Sequence, residues 1–283
     1  MTAIARVAII GVGLIGGSLG LALRARRPEI AVHGITRDPE QARRAIAAGA
    51  VTSAGTRLED AAHSDLAVIA APLDATFRLL EQLARVMPAG LITDVGSVKA
   101  DVVGAAQRLP APHRFLGGHP MAGRSESGLA AADPDLFAGA AWVFTPAPGQ
   151  DVAAFEPWIA CVRSLGARPV FMDPEEHDVR VALVSHLAFL LSSVYAATIQ
   201  ASDEPARTAL VAGPGFRDMI RLATGDPRMY AAIIEHNRAP IRATLDALQA
   251  SLARYRELLE RDGPALLSLL EETASQARGW LRA

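Results

Sequence analysis

From Arg6 to Met172 one unit recurs, a short apolar run followed by a stretch of helical period. "RVAIIG" leads into "LIGGSLGLALRARR", "AVHGI" into "DPEQARRAIAAGA", "LAVIAA" into "LDATFRLLEQLARVM", and "GLITDVG" into "SVKADVVGAAQRL". Strands separated by helices are brought side by side by right-handed crossovers, so the repeat predicts a parallel sheet with helices on both faces. "RFLGGHP", "AAWVFTP" and "ARPVFM" supply the last strands, with the helical stretch "DVAAFEPWIACVRSLG" between the final two.

At Met172 the pattern changes. Asp173 stands at an N-cap, Pro174 at the first helical position and Glu176 at the capping-box position, so a helix starts there. Nearly everything after it has helical period, interrupted at "GPGFRD", "GDPRMY" and "RDGPAL". The expected fold is α/β, with a doubly wound sheet over residues 1–172 followed by an all-helical domain over residues 173–283.

Half of the 283 residues are apolar, enough for a core in each half and against disorder. The net charge of -2, with acidic and basic residues interspersed, offers no cationic face to nucleic acid or to an anionic membrane. A small molecule is the expected partner, and no residue set is assigned to a metal. Cys161 is the single cysteine, which excludes an intramolecular disulfide, fits a reducing compartment and reads as a packed core residue. "MTAIARVAIIGVG" reads as a first strand rather than a signal peptide, so a cytoplasmic location is expected. "VALVSHLAFLLSSVYAATI" is about long enough to span a bilayer, but it carries Ser185, His186, Ser192 and Ser193. It is expected to be a helix buried on nearly every face, in the helical core and at a subunit interface.

Gly11, Gly13 and Gly16 form G-x-G-x-x-G between the first strand and the first helix. In that position the first glycine permits a tight turn, the second lets the backbone approach a pyrophosphate, and the third lets helix and strand pack closely. Gly11, Gly13, Leu14, Ile15 and Gly16 are therefore the expected dinucleotide contacts of a Rossmann-type domain. Enzymes selective for NAD usually place an acid at the end of the second strand, about 20 residues further on. Here that strand ends in Thr36 and Arg37, a hydroxyl and a guanidinium that suit a 2′-phosphate, so NADP is favoured with NAD open. The competing reading leaves Arg37 solvated and makes Asp38 the cap of the next helix.

Ligands of open α/β sheets bind at the carboxyl ends of the strands, and "RFLGGHP" delivers Gly118 and His119 to that edge. "TDVGSVK" brings Ser97 to the same edge, with Asp94 and Lys99 as further expected cofactor contacts. Arg217 and Arg221, in "GFRDMIRLATGDP", add carboxylate-binding groups from the helical half. A cleft between the halves would then hold a base, a hydroxyl and an arginine beside a nicotinamide.

With "GVGLIGGS", "TDVGSVK", "GGHPMAG", "EEHD", "VSHL" and "GFRDMIRLATGDP" in one order, from about residue 7 to about residue 240, the chain resembles the prephenate and arogenate dehydrogenase family of tyrosine biosynthesis. The resemblance implies an oxidative decarboxylation of prephenate or arogenate with hydride transfer to NADP or NAD. On the matching positions, His119 would accept or hydrogen-bond the proton of the ring hydroxyl and Ser97 would orient that hydroxyl and His119. Arg221 would bind a substrate carboxylate, with Arg217 and Gly118 in the same site. His186 would line or support the pocket, although a satisfied core histidine is nearly as good a reading of it.

Many family members that use prephenate read "HLPH" where this chain reads "HLAF", with Phe189 in place of the second histidine. Phe189 and Thr36 both lean towards NADP-dependent arogenate enzymes. The family includes fusions to a mutase or a regulatory domain; the expectation here is neither, with any control by tyrosine acting at the active site. A homodimer through the helical half is expected from apolar faces such as "ALLSLLEETA". Two rival readings are another two-domain reductase, of the 3-hydroxyacid dehydrogenase or imine reductase kind, and a dinucleotide-binding sensor without catalysis.

Overall fold

Leu66, Ala67, Val68 and Ile69 are buried in succession, as are Val7 to Ile10, and a strand buried on both faces belongs in the middle of a parallel sheet. The computed structural model, which describes residues 3–110, 114–124, 126–261 and 263–281, places both runs there. Ser125, in the loop after His119, and Asp262, in the "RDGPAL" break, lie outside the described residues.

The elements are β1 (Arg6–Ile10), α1 (Leu14–Arg26), β2 (Ala31–Ile35), α2 (Pro39–Ala47), β3 (Ser53–Gly55), β4 (Leu66–Ile69), α3 (Leu73–Val86), β5 (Leu91–Asp94) and α4 (Ala100–Ala106). They continue with β6 (Arg114–Pro120), β7 (Ala141–Thr145), α5 (Glu156–Ser164) and β8 (Arg168–Phe171). The eight strands run in the order β3-β2-β1-β4-β5-β6-β7-β8. The doubly wound sheet expected from the sequence is therefore present, and the reversal of strand order between β1 and β4 puts a crevice beside the glycine loop. One core, with Leu19, Leu23, Trp142 and Trp158, lies on one face of the sheet, and a second, with Leu80, Leu83, Val102 and Val103, on the other.

Two details of the sheet differ from expectation. β3 has three residues and no apolar run to announce it, and pairs parallel to β2. β7 runs antiparallel to β6, with β8 parallel to β7, because the segment between β6 and β7 returns without a crossover α-helix.

Helices follow: α6 (Pro174–Val181), a π-helical turn (Ala182–His186), α7 (Leu187–Gln200), α8 (Pro205–Ala209), α9 (Pro214–Ile220) and α10 (Pro227–His236). Asp173 takes the N-cap position of α6 with extended backbone, but its side chain makes no capping bond. Within one chain residues 181–199 are buried along a stripe with Val181, Ala182, His186, Phe189 and Ser192, while Val184 is 69% and Val194 58% exposed.

Residues Met1–Arg238 form one compact unit and Ala239–Ala283 a second. Helix α11 (Arg238–Arg261), all but its first residue in the second unit, is joined to α12 (Gly263–Trp280) by a 3.2 Å hydrogen bond between Tyr255 Oη and Thr273 Oγ1.

Candidate active site

The glycine loop fits a dinucleotide position by position. Gly11 has a φ of +96°, and a Cβ there would lie 2.5 Å from Ala70 O. A Cβ on Gly16 would lie 2.0 Å from Gly11 O, so helix and loop touch only because it is absent. Around Gly13 a Cβ would meet nothing within 4 Å, leaving open space beside the backbone. α1 starts there with no side-chain cap and no acidic residue in its first turn, so the N–H groups of Leu14 and Ile15 keep their capacity for an anion.

At the end of β2, Thr36 is buried and its hydroxyl donates to Asp38 O at 2.9 Å. Asp38 Oδ1 accepts from Gln41 N at 2.9 Å, so it does cap α2. Arg37 is exposed and makes no ion pair among the described residues.

Strands β5 and β6 end side by side, and Asp94 joins them. Its Oδ1 accepts from Gly118 N at 3.1 Å, and its Oδ2 accepts from Gly96 N at 2.9 Å and pairs with Lys99 Nζ. Asp94 and Lys99 are wholly buried, and burial lowers the Lys99 pKa against the opposing pull of Asp94. A Cβ on Gly118 would lie 2.6 Å from Asp94 O, so that glycine is a packing requirement. Asp94, Lys99 and Gly118 thus sit beneath the strand ends, without surface turned outward.

His119 follows directly. It is 8% exposed, and its Nδ1 lies 2.8 Å from Nε2 of His177 on α6. His177 Nδ1 lies 2.7 Å from Asp178 Oδ1. Burial first, then the neighbouring His177, Lys99 and His186, hold the His119 pKa well below the ordinary histidine value. The imidazole is therefore neutral at pH 7, with Nε2 left for a ligand. Ser97 stands half-buried in the loop after β5, and its hydroxyl makes no hydrogen bond to any described residue. The side chain within hydrogen-bond distance of His119 is that of His177, at Nδ1.

His186 closes the π-helical turn, a distortion frequent at functional sites. Its Nδ1 lies 3.1 Å from Asn237 Nδ2, which also donates to Asp178 O at 2.8 Å, while its Nε2 is buried without a partner. Burial lowers its pKa to about 4. Phe189 stacks on Tyr230, whose own pKa burial raises.

Arg217 and Arg221 are exposed on α9 and the turn after it, and no hydrogen bond or ion pair ties them to the histidine cluster. Their segment is held by Ser192 of α7, whose Oγ donates to Met219 O at 2.6 Å and accepts from Ala223 N at 2.9 Å.

Sequence reasoning assigned no role to His177, Asp178 or Asn237. The signal for the first two was "EEHD", which also reads as the ordinary polar first turn of a helix.

Residues 19–171 match the family described as prephenate dehydrogenase, nucleotide-binding domain, and residues 173–272 match prephenate dehydrogenase, dimerization domain. The prephenate dehydrogenase of Bacillus subtilis is 34% identical over 281 residues, covering 97% of this chain and 76% of that one. The solved structure of Aquifex aeolicus prephenate dehydrogenase in complex with hydroxyphenyl propionate and NAD+ superposes with a TM-score of 0.91 at 26% identity, covering 98% of this chain and 99% of that one. Synechocystis arogenate dehydrogenase gives 0.81 at 28% identity, with 97% and 99% covered. Family models over both halves, sequence identity and fold agree: the chain belongs to the prephenate dehydrogenase family.

Proposed function

We propose that this chain oxidises and decarboxylates prephenate or arogenate, with His119 as the base and NADP as the favoured cofactor. The observation that carries the reading is His119 itself, neutral and tethered through Nδ1, at the carboxyl edge of the same sheet whose β1 ends in the glycine loop. Gly11, Gly13, Leu14, Ile15 and Gly16 would hold the pyrophosphate, and Arg37 the 2′-phosphate. Thr36 shapes that turn through its bond to Asp38. When bound, the nicotinamide supplies the acceptor for hydride.

His119 Nε2 accepts the proton of the substrate's ring hydroxyl, so that oxygen can form a carbonyl as the hydrogen on its carbon leaves with its electron pair. The opposite carboxylate departs as carbon dioxide, its bonding electrons enter the ring, and the oxygen takes a proton back as the phenol. General base catalysis of this kind contributes typically 10²–10⁴-fold. Ser97 orients the hydroxyl, and Arg221, with Arg217 one turn earlier, binds a substrate carboxylate. His186 supports the pocket wall through Asn237. Asp94, Lys99 and Gly118, expected from sequence as direct contacts, are assigned to the support beneath it, since all three are buried. The exposed apolar side of α7 is assigned to a homodimer, and the enzyme to the cytoplasm.

The test is reduction of NAD and NADP, followed by absorbance, with prephenate and arogenate offered separately and His119→Ala run beside the wild type. Turnover with one of the acids, falling at least 100-fold in the variant, is expected. No turnover in any of the four combinations, with cofactor still bound, would overturn the reading.

A further inference from the structure

His119 is the first of three side chains joined end to end. Its Nδ1 meets His177 Nε2 at 2.8 Å, and His177 Nδ1 meets Asp178 Oδ1 at 2.7 Å. All three are buried, and His177 is completely so. The direction of each bond follows from what Asp178 already does. Its two oxygens accept from Lys99 N at 2.8 Å and Ala100 N at 2.9 Å, the backbone donors that open α4. It therefore acts towards His177 as an acceptor too.

His177 must then carry its hydrogen on Nδ1, which leaves Nε2 as a lone pair. His119 must in turn carry its hydrogen on Nδ1 and leave its own Nε2 bare. The opposite assignment would turn an imidazole lone pair towards the carboxylate and place an N–H where the substrate's hydroxyl hydrogen has to go.

We propose that His177 and Asp178 are positioning residues which fix the tautomer of His119 and hold its Nε2 ready to accept a proton. This deepens the dehydrogenase reading and rests on it for its consequence in turnover. When Nε2 gains the substrate proton, the new cation donates more strongly through Nδ1 to His177, which passes the polarisation on to the Asp178 carboxylate. The other charged or titratable groups near His119 are Lys99 and His186, both disfavouring its protonation, and Asp94, whose charge is matched by Lys99. Asp178 is thus the acidic group left to balance the cation through His177. Where a buried carboxylate plays this part for a single catalytic histidine, replacing it with an amide lowers kcat about 10⁴-fold.

Two measurements test the assignment. The first is the nitrogen-15 spectrum of histidine-labelled resting enzyme at pH 7.5, with the His119 signals identified by their loss in His119→Gln. The expected result is a protonated Nδ1 and an unprotonated Nε2; a hydrogen on Nε2 overturns the proposal whether or not the chain turns over any substrate. The second compares His177→Leu, which removes the acceptor, with His177→Gln, whose amide oxygen restores one. His177→Leu is expected to lower kcat at least 100-fold with KM changed less than threefold, and His177→Gln to recover most of the loss. In both variants the acid limb of the kcat profile should move relative to the wild type. Equal losses in the two, with an unmoved limb, would assign His177 to packing alone and overturn the proposal. If neither acid supports turnover in the wild type, the dehydrogenase reading has failed, and the nitrogen-15 result decides the tautomer by itself.

Discussion

Phe189 and Tyr230 stack with ring centroids 3.4 Å apart and planes 6° from parallel. Phe189 stands where the family resemblance leads one to expect a second histidine, and here the position forms an apolar joint between α7 and α10. Phe189→Ala is expected to lower stability by about 3 kcal/mol, from lost burial and lost ring contact. Phe189→His, which keeps a ring over Tyr230, should lose less than half of that. Urea denaturation of the three proteins measures this, and equal stability of Phe189→Ala and wild type would refute the joint.

Gly13 and Gly16 should respond in opposite ways to one added methyl group. A Cβ on Gly16 would overlap Gly11 O at 2.0 Å, so Gly16→Ala is expected to destabilise the fold by roughly 1–3 kcal/mol or more. A Cβ on Gly13 meets no protein atom within 4 Å, so Gly13→Ala should melt like wild type yet bind NADP at least 10-fold more weakly. Thermal melts and cofactor titration together decide it. Unchanged affinity in Gly13→Ala would remove the pyrophosphate from this loop.

His186 ties stability to pH. Its pKa is about 4 in the folded chain against an unfolded value of about 6.5. Between those values the unfolded chain binds the extra proton, so stability rises with pH through the window and is lost on acidification. From pH 7 to pH 5 this one group should remove roughly 2 kcal/mol, and His119, lowered in the same direction, adds to the loss. His186→Gln, which keeps a partner for Asn237 but does not titrate, should show a correspondingly smaller loss. Denaturant midpoints at the two pH values check this, and parallel losses in both proteins would contradict it.

Val184, in the π-helical turn, and Val194, on α7, present apolar side chains to solvent from the long apolar run. The double variant Val184→Glu, Val194→Glu is expected to be monomeric where the wild type is dimeric, since a charge buried in such an interface has no partner. Multi-angle light scattering distinguishes the two. A dimer that survives both substitutions would place the interface elsewhere.

Alternation of apolar runs with helical period made the central strands and their helices legible, because burial on both faces leaves an unbroken signature such as "LAVI". Ser53–Gly55 left none, being three small residues whose strand exists only because β2 lies beside them. The reversed direction of β7 was equally hidden: an apolar run does not record which way it points. How the burial of Val184 and Val194 is divided between this chain and a second copy was hidden too, because apolarity reports that a surface is covered, not by which chain. His119 stood out for its setting between a strand end and a proline. His177 did not, since 58 residues separate the two and their contact exists only once α6 lies against the edge of β6.

The two hydrogen bonds made by Ser192 couple α7 mechanically to the segment that carries Arg221. One hydroxyl grips the backbone on both sides of Arg221, so the arginine moves with α7 as a rider moves with a rail. Val194, two residues along the same helix, faces outward to where a second copy would press. If Arg221 binds a carboxylate and a second copy covers Val194, as proposed above, association and substrate grip share one lever, and dilution that separates the copies loosens both.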